Sequence, residues 1–329
     1  MFFGTLINGA SKNMGSNCEK AQHIARCLQL AIILEVSADK PGNVNLVTDF
    51  EGTRCEHFLA SSIAAGPSFQ EAAYRGIEIA EKNRELNQAG LGELIKWGIT
   101  DISEWQRGGN TLLGTIMMFA PLAVAAGITP TDKKYLPDFS KLRKNMDKVI
   151  RASTPQDSVE VYEAIDIAKP SGLNGAPDLS VKDPDSKARL IRENVSLLEV
   201  FKIAAGYDDI CSEWVNNFPV TFDLAYPYLK AQLTQKNLDS AIVDTFLKIL
   251  AEHPDTFISR KVGLKKAKEV SAGAQEILNL GGVETTSGKQ ALIAFDKKLR
   301  KAGNDYNPGT TADITATALA LCTLGGYRP

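Results

Sequence analysis

The first segment that could carry chemistry is the run Glu35-Val-Ser-Ala-Asp-Lys-Pro-Gly-Asn, which follows an apolar stretch with helical spacing. The sequence Lys40-Pro41-Gly42 predicts a turn that ends the helix and brings Glu35, Lys40 and Asn43 close together. Exposed backbone amides beside an ammonium group suit an anion. A plain helix-ending turn without a ligand is the alternative interpretation.

A second segment concentrates acidic groups directly before another apolar helix. Asp49, Glu51, Glu56 and His57 lie within nine positions. Carboxylates at this density could bind a divalent cation, and a carboxylate or the histidine could act as a general acid or base. The alternative is a solvated helix start, where acidic residues are favoured by the helix dipole.

Two glycine-containing segments each precede a long uncharged helix. One is Gly108-Gly109-Asn110-Thr111, followed by Gly114, and the other runs from Asn307 to Asp313 with the sequence NPGTTAD. Glycine lets a ligand approach the backbone, and a helix amino terminus attracts anions. Both segments are candidate phosphate sites, and Asp313 could either cap its helix or bind a metal ion. Ordinary helix starts are the alternative for both.

Two basic residues lie in a further segment, Asp255-Thr-Phe-Ile-Ser-Arg-Lys. Arg260 and Lys261 could contact a phosphate group, and plain surface positions are the alternative. The net charge of the 329-residue chain is only −2, so no basic field favours nucleic acid or an anionic membrane. An anionic ligand must therefore be bound by local groups such as these.

Helices must position these segments, because strand signals are scarce and stretches with helical periodicity are frequent. Helices are predicted over residues 18–36, 68–80, from 154 onward, 197–205, 208–233, 238–251, 264–278, 288–301 and 312–324. A capping box is predicted at Ser68 and a proline-containing first turn at Thr154. We expect an all-α, bundle-like single domain of about a dozen helices over residues 1–329. The Pro- and Gly-rich loop 169–184 is either an active-site lid or a domain boundary.

Two uncharged stretches, residues 111–128 and 314–326, are predicted to be buried core helices rather than membrane spans. The first contains Pro121 and has no basic cluster on either side, and the second is too short to span a bilayer. Five cysteines without a CxxC pair are typical of a reducing compartment. Together with the lack of a basic region before the first apolar residues, they lead us to expect a cytoplasmic protein.

Taken together and in this order, the segments KPGNV, EHF, GGNT, VYEAIDIAKPSGLN, PDTFISRKVG and NPGTTAD resemble the triphosphoribosyl-dephospho-CoA synthase family, particularly its archaeal-type branch. The resemblance extends from about Glu35 to Leu324. It implies an all-helical fold and a reaction in which ATP transfers its ribosyl triphosphate to the ribose 2′-hydroxyl of 3′-dephospho-CoA, and adenine leaves. The donor bond is β and the product bond is α, which implies inversion by a single displacement. One carboxylate would accept the proton of the hydroxyl while another group protonates adenine.

Roles for individual residues follow as predictions. The predicted catalytic residues are Glu35, Glu56 and His57, and Glu35 is preferred as the base because partial burial at a helix end would raise its pKa. The predicted contacts to Mg²⁺, the expected cofactor, are Asp49, Glu56 and Asp313. The predicted nucleotide and phosphate ligands are Lys40, Gly42, Asn43, Gly109, Asn110, Thr111, Gly114, Arg260, Lys261, Pro308, Gly309 and Thr311. We expect four of these segments, those that contain Lys40, Glu56, Gly109 and Gly309, to converge in one cleft.

The sequence departs from the citrate-lyase enzymes of this family at two places. Those enzymes carry Gly-x-His-x-Asp-Met where this chain has a segment beginning at Glu51, and His-Lys where Leu112-Leu113 stands here. The alternatives are phosphoribosyl transfer to another acceptor, such as a pterin cofactor precursor, and non-catalytic nucleotide binding. The expected partners are ATP and dephospho-CoA or a similar acceptor, with no nucleic acid or membrane, and a homodimer could form.

Overall fold

The computed structural model describes residues 4–173, 176–301 and 303–329, with side chains from residue 15 onward. Sixteen α-helices and no β-strand occur in this part of the chain, which confirms the all-α prediction with more helices than expected. The helices are α1 (Gly4–Ser37), α2 (Cys55–Ala64), α3 (Gly66–Ala80), α4 (Leu91–Trp105), α5 (Leu113–Ile128), α6 (Phe139–Arg151), α7 (Pro155–Ala168), α8 (Ser186–Arg192), α9 (Leu197–Ala204), α10 (Asp209–Val215), α11 (Tyr226–Gln232), α12 (Leu238–Glu252), α13 (Thr256–Val262), α14 (Leu264–Asn279), α15 (Thr286–Arg300) and α16 (Gly309–Leu324).

The two uncharged stretches form the buried helices α5 and α16, as predicted. Nearly every residue of both helices is buried, and both contribute to one apolar cluster that draws residues from α1 through α16. A helix that is apolar on all sides must be surrounded by protein: the neighbours of α5 include α1, α3, α4 and α6, and those of α16 include α1, α5, α11 and α12. Within the described ranges, no helix combines the length and apolarity that a membrane crossing needs.

Pro121 lies inside α5 and lacks the amide that would donate to the carbonyl of Met117, four residues earlier. The indole Nε1 of Trp214, on α10, donates to this carbonyl oxygen at 3.1 Å. Trp214 is 1% exposed, so the tryptophan replaces a hydrogen bond that water could not supply. The contact fixes α10 against the central helix.

Close approach of α3 and α5 depends on a glycine in each helix. A Cβ added at Gly76 would overlap the Val124 carbonyl, and one added at Gly127 would overlap the Ala73 carbonyl. The two backbones therefore pack directly against each other near the carboxyl end of α5.

The predicted capping box at Ser68 is wrong. Helix α3 begins at Gly66, directly after α2, and Ala65 between them has helical backbone angles. The Phe69 amide donates to the Ala65 carbonyl, and the Ser68 hydroxyl donates to the same carbonyl. A side-chain cap is unnecessary because the preceding helix supplies the first carbonyls. The start at Thr154 is confirmed, with a capping box to Asp157.

The single helix predicted over residues 208–233 is interrupted. Asn217 and Phe218 have positive φ angles of 61° and 56°, and a π-helical segment, Val220–Ala225, precedes α11. The buried carboxylate of Glu213 accepts hydrogen bonds from the Val220 and Thr221 amides at 2.8 and 2.9 Å. This carboxylate replaces the carbonyls that a continuous helix would have provided. The loop predicted over 169–184 lies between α7 and α8, and its role as a lid stays a prediction.

Candidate active site

The carboxyl end of α1 and the first turns of α5 and α16 face a cavity of about 270 Å³. Eight of the predicted site residues line it: Glu35, Asn43, Asn110, Thr111, Gly114, Arg260, Gly309 and Asp313. The acidic segment contributes Phe50 and Thr53 to the wall, although its acidic residues lie elsewhere. The structure therefore places the four segments around one cavity, as expected, while the ligand roles of these residues stay predictions.

Glu35 lies at the end of α1 and is 6% exposed. The ammonium of Lys40, which is fully buried, lies 3.2 Å from its Oε1 and also donates to the carbonyls of Glu35 and Ala38. Oε1 has no well-aligned hydrogen bond from any described residue, so its contact with Lys40 is an ion pair only. Burial raises the pKa of Glu35, and the Lys40 charge counteracts part of that increase. Glu35 is thus a buried carboxylate in the cavity wall that is paired with one cation.

Asp313, in the first turn of α16, accepts a hydrogen bond from the Thr115 hydroxyl at 2.5 Å. A Cβ added at Gly114 would overlap the Asp313 carboxylate, so glycine is what allows α5 to approach it. Burial raises the pKa of Asp313 to about 8, and the nearby carboxylates of Glu35 and Asp255 add to the effect. Glu35 and Asp313 are therefore neighbouring carboxyl groups in the cavity wall, and each disfavours ionisation of the other.

Asp255 connects the starts of α13 and α16. Its carboxylate accepts the Ile258 amide at 3.0 Å, and it accepts both the amide and the hydroxyl of Thr311 at 2.8 Å. It is 1% exposed, and burial raises its pKa. Thr311 was predicted to bind phosphate, but its donors face Asp255, and the neighbouring Thr310 lines the cavity instead. An aspartate directly before α13 is a recognisable helix-capping residue in the sequence. Nothing in the sequence indicates that it also binds Thr311 on α16.

Arg260 is the only basic residue among the described residues that line the cavity, and its guanidinium is paired with Asp208. Lys261 lies outside the lining: its ammonium donates to the Asn304 carbonyl at 2.5 Å and lies 3.9 Å from the Phe257 ring centroid. Four acidic residues line the same cavity, namely Glu35, Asp178, Asp208 and Asp313. Because the guanidinium of Arg260 is already paired, a polyphosphate would need a further cation beside it.

The acidic residues of the second segment are used at the start of α2. Asp49 accepts the Cys55 amide at 3.0 Å, and the Nδ1 of His57 accepts the Arg54 amide at 3.0 Å. The Glu56 side chain is 63% exposed and lies 3.7 Å from the Arg54 guanidinium. These positions match the alternative of a helix start, and they give no geometric support to the catalytic and metal roles predicted for Asp49, Glu56 and His57.

Four other predicted phosphate ligands also lie outside the cavity lining. Lys40 is buried against α1, and the Gly42 amide donates to Asp296 at 2.8 Å. The Gly109 carbonyl accepts from the Gln106 side chain at 2.7 Å, and Pro308 is the N-cap residue of α16. No cluster of three or more His, Cys, Asp or Glu side chains suited to a metal ion occurs among the residues that the structure describes.

One side of the cavity is apolar and was not predicted. Its wall comes from α7, α9 and α10, with Tyr162, Phe201 and Ile210 as examples, and Tyr207 lies between α9 and α10. The Tyr162 hydroxyl donates to the Leu179 carbonyl and is therefore not available to a ligand. The cavity thus combines a polar side, next to the starts of α5 and α16, with an apolar side suited to a planar or aliphatic group.

The fold and the cavity define an all-helical protein with a small-molecule site at the starts of its two central helices. A comparison with protein families gives this class a name: the family model for ATP:dephospho-CoA triphosphoribosyl transferase matches residues 21–329, and the chain belongs to that family. This confirms the resemblance found in the sequence motifs.

Two curated relatives illustrate how distant the match is. A probable 2-(5''-triphosphoribosyl)-3'-dephosphocoenzyme-A synthase of Pseudomonas fluorescens (strain Pf0-1) is 23% identical over 263 residues, which cover 80% of this chain and 77% of that protein. A protein of the same name from Pseudomonas savastanoi pv. phaseolicola is 29% identical over 105 residues, 32% of this chain and 35% of that protein. The match with this second relative, like that with a protein of the same name from Pseudomonas syringae pv. tomato, thus spans only about a third of the relative's length.

A crystal structure of a candidate triphosphoribosyl-dephospho-CoA synthase from Archaeoglobus fulgidus has the same fold. The TM-score is 0.61 at 24% identity, and the match covers 83% of this chain and 99% of that chain. At this level of identity the likeness supports the fold alone.

Proposed function

We propose that the protein is a pentosyltransferase that moves the ribosyl triphosphate of ATP to a hydroxyl group of a cofactor precursor and releases adenine. Membership in the ATP:dephospho-CoA triphosphoribosyl transferase family supports this proposal, and 3′-dephospho-CoA is the proposed acceptor. The observation that carries it is the position of Glu35, a buried carboxylate paired with Lys40, in the wall of a cavity that the starts of α5 and α16 also face.

In the proposed reaction the acceptor oxygen forms a bond to C1′ of the ATP ribose while the bond from C1′ to the purine nitrogen breaks. Glu35 accepts the proton of the acceptor hydroxyl, and adenine leaves after its ring nitrogen takes up a proton from water, to which Glu35 then releases the proton that it accepted. Lys40 counteracts part of the increase that burial causes in the pKa of Glu35, which favours the ionised form that a base needs. Glu56 and His57, the rival bases, do not line the cavity.

The triphosphate would lie at the first turns of α5 and α16, where backbone amides and helix dipoles favour negative charge. The purine would occupy the apolar side formed by α7, α9 and α10. In this proposed arrangement the ribose would lie between the two sides, close to Glu35 and Asp313.

A Mg²⁺ ion bound with ATP fits the cavity because one guanidinium, itself paired with Asp208, cannot balance a triphosphate. Asp313 is the predicted ligand that faces the cavity, and Mg²⁺ commonly uses only one or two carboxylates together with phosphate oxygens and water. When bound, the ion would offset the phosphate charge. A homodimeric state and a cytoplasmic location stay predictions.

The test is product analysis by liquid chromatography and mass spectrometry after incubation with ATP, Mg²⁺ and dephospho-CoA, followed by other hydroxyl acceptors. The expected result is one adenine released for each acceptor that gains a triphosphoribosyl group. Formation of ADP without adenine, or nucleotide binding without turnover, would contradict the proposal.

Glu35→Gln tests the base assignment, and Glu56→Gln is the matched control. We expect Glu35→Gln to lower turnover by roughly 10²–10⁴-fold, the usual range for general base catalysis, while ATP binding is retained. Glu56→Gln should leave turnover near the wild-type value because its side chain lies outside the cavity. Loss of turnover in Glu56→Gln with normal turnover in Glu35→Gln would instead assign the role of base to Glu56.

A further inference from the structure

The loop that carries Gly42 and Asn43 is held by two side chains of α15. The carboxylate of Asp296 accepts the Gly42 amide at 2.8 Å, and the Nη2 of Arg300 donates to the Asn43 carbonyl at 2.6 Å. The two side chains are also bound to each other, with Arg300 Nε at 2.7 and 2.9 Å from the two Asp296 oxygens. The backbone is therefore fixed on both sides of the Asn43 side chain.

Asn43 is the part of this loop that a substrate can use. It lines the cavity and is 5% exposed, and its Oδ1 accepts the Val44 amide at 3.0 Å. Its Nδ2 is buried and has no hydrogen-bond partner among the described residues. A buried donor of this kind is costly unless a ligand satisfies it, so its position relative to the substrate matters.

Arg300 supports a second residue of the same wall. Its guanidinium carbon lies 5.3 Å from the ring centroid of Phe50, which also lines the cavity. Arg300 itself is not among the lining residues, so it acts on the site through Asn43 and Phe50 rather than by contact with a ligand.

We propose that Asp296 and Arg300 are positioning residues for the transfer reaction, because they hold Asn43 where its carboxamide can donate to the substrate. The proposal rests on the proposed function. Under this proposal α15 shapes the site through the loop that it holds, although it contributes no residue to the described lining.

The test is Arg300→Met, with Arg151→Met as the matched control. Arg151 makes the same type of pair within one helix, its Nε lying 2.9 Å from both oxygens of Asp147, but it has no contact with the loop. We expect Arg300→Met to lower kcat by roughly 10- to 100-fold with little change in the KM for ATP, since small misplacements of reacting groups cost rates of this order. Arg151→Met should keep the wild-type kcat.

A double variant separates positioning from general destabilisation. If Arg300 acts through Asn43, Arg300→Met combined with Asn43→Ala should lose no more activity than the worse single variant, because both remove the same interaction. Wild-type kcat in Arg300→Met, or losses that multiply in the double variant, would overturn the proposal.

Hydrogen–deuterium exchange gives a measurement that does not depend on activity. Residues 39–47 should exchange faster in Arg300→Met than in Arg151→Met, because the bonds to the loop are lost. Unchanged exchange in this segment would refute the positioning role. A wild-type protein that releases no adenine would instead refute the proposed function.

Discussion

Replacing Lys40 with methionine should destabilise the protein and impair its proposed base at the same time. The ammonium is fully buried and lies 3.2 Å from the Glu35 carboxylate, where the attraction is about 5 kcal/mol at an effective dielectric constant of about 20. Desolvation of the ammonium opposes this gain. Removing one partner of a buried pair nevertheless leaves the other charge uncompensated, so the expected loss of unfolding free energy is about 3–5 kcal/mol.

The same substitution should change the pH dependence of both activity and stability. Burial raises the pKa of Glu35 and Lys40 lowers it, so the pKa rises further in Lys40→Met. The base must be ionised, and the acidic limb of the pH–rate profile should therefore move to higher pH. A carboxyl group with a raised folded-state pKa loses its stabilising contribution as pH rises through that pKa, so the stability that the variant loses relative to wild type should be larger at pH 9 than at pH 6.

Urea unfolding at both pH values and adenine release across the pH range measure these effects. The control is Lys40→Met combined with Glu35→Gln, in which a neutral amide needs no counter-charge. This double variant should regain much of the stability lost by Lys40→Met alone. An unfolding free energy within about 0.5 kcal/mol of wild type, together with an unmoved acidic limb, would refute the reasoning.

Three further predictions concern residues that hold the cavity in place. Trp214→Phe should cost about 1–3 kcal/mol because the Met117 carbonyl loses its donor, and Pro121→Ala, which restores a backbone amide, should reduce that cost in a double variant; equal costs in both backgrounds would argue against this account. Asp255→Ala should cost about 1–4 kcal/mol, since the starts of α13 and α16 each lose a cap, and should weaken ATP binding by calorimetry; unchanged values for both would contradict it. In magnesium-free buffer, the contribution of Asp313 to stability should be lost as pH rises from the ordinary aspartate pKa of 3.8 to the folded value of about 8, so in urea titrations stability should fall less steeply with pH in Asp313→Asn than in wild type. Identical slopes would show that another group is responsible.

Local patterns were sufficient to predict much of the fold. The uncharged stretches that became α5 and α16 had to be surrounded by protein, and the start at Thr154 followed from its capping residues. Helix α6 was not predicted although Leu142, Met146, Val149 and Ile150 have helical spacing and are buried. The break after α10 could not be predicted, because it depends on a carboxylate, Glu213, that accepts amides beyond the turn.

The contacts that build the cavity join residues far apart in the sequence. Asp255 and Thr311 are 56 positions apart, Trp214 and Met117 are 97 apart, and Thr115 and Asp313 are 198 apart. Each residue has a side chain suited to its role, but the partner is selected by how the helices pack. Sequence motifs could therefore indicate which segments meet, while the pairing within them required the structure.

Asp49 and Asp313 show why residue type alone does not identify the site. Both stand near the start of a helix, and both were predicted to bind a metal ion. Helix α2 has exposed positions and begins with Asp49 bound to the Cys55 amide, whereas α16 is buried along nearly its whole length. A buried helix can begin at a polar group only where a cavity or another buried polar group accompanies it, because an isolated charge in the core is too costly. The character of the helix therefore distinguishes the two carboxylates. Asp313 stands at the start of a buried, apolar helix and faces the cavity, whereas Asp49 precedes a partly exposed helix and binds an amide at its start.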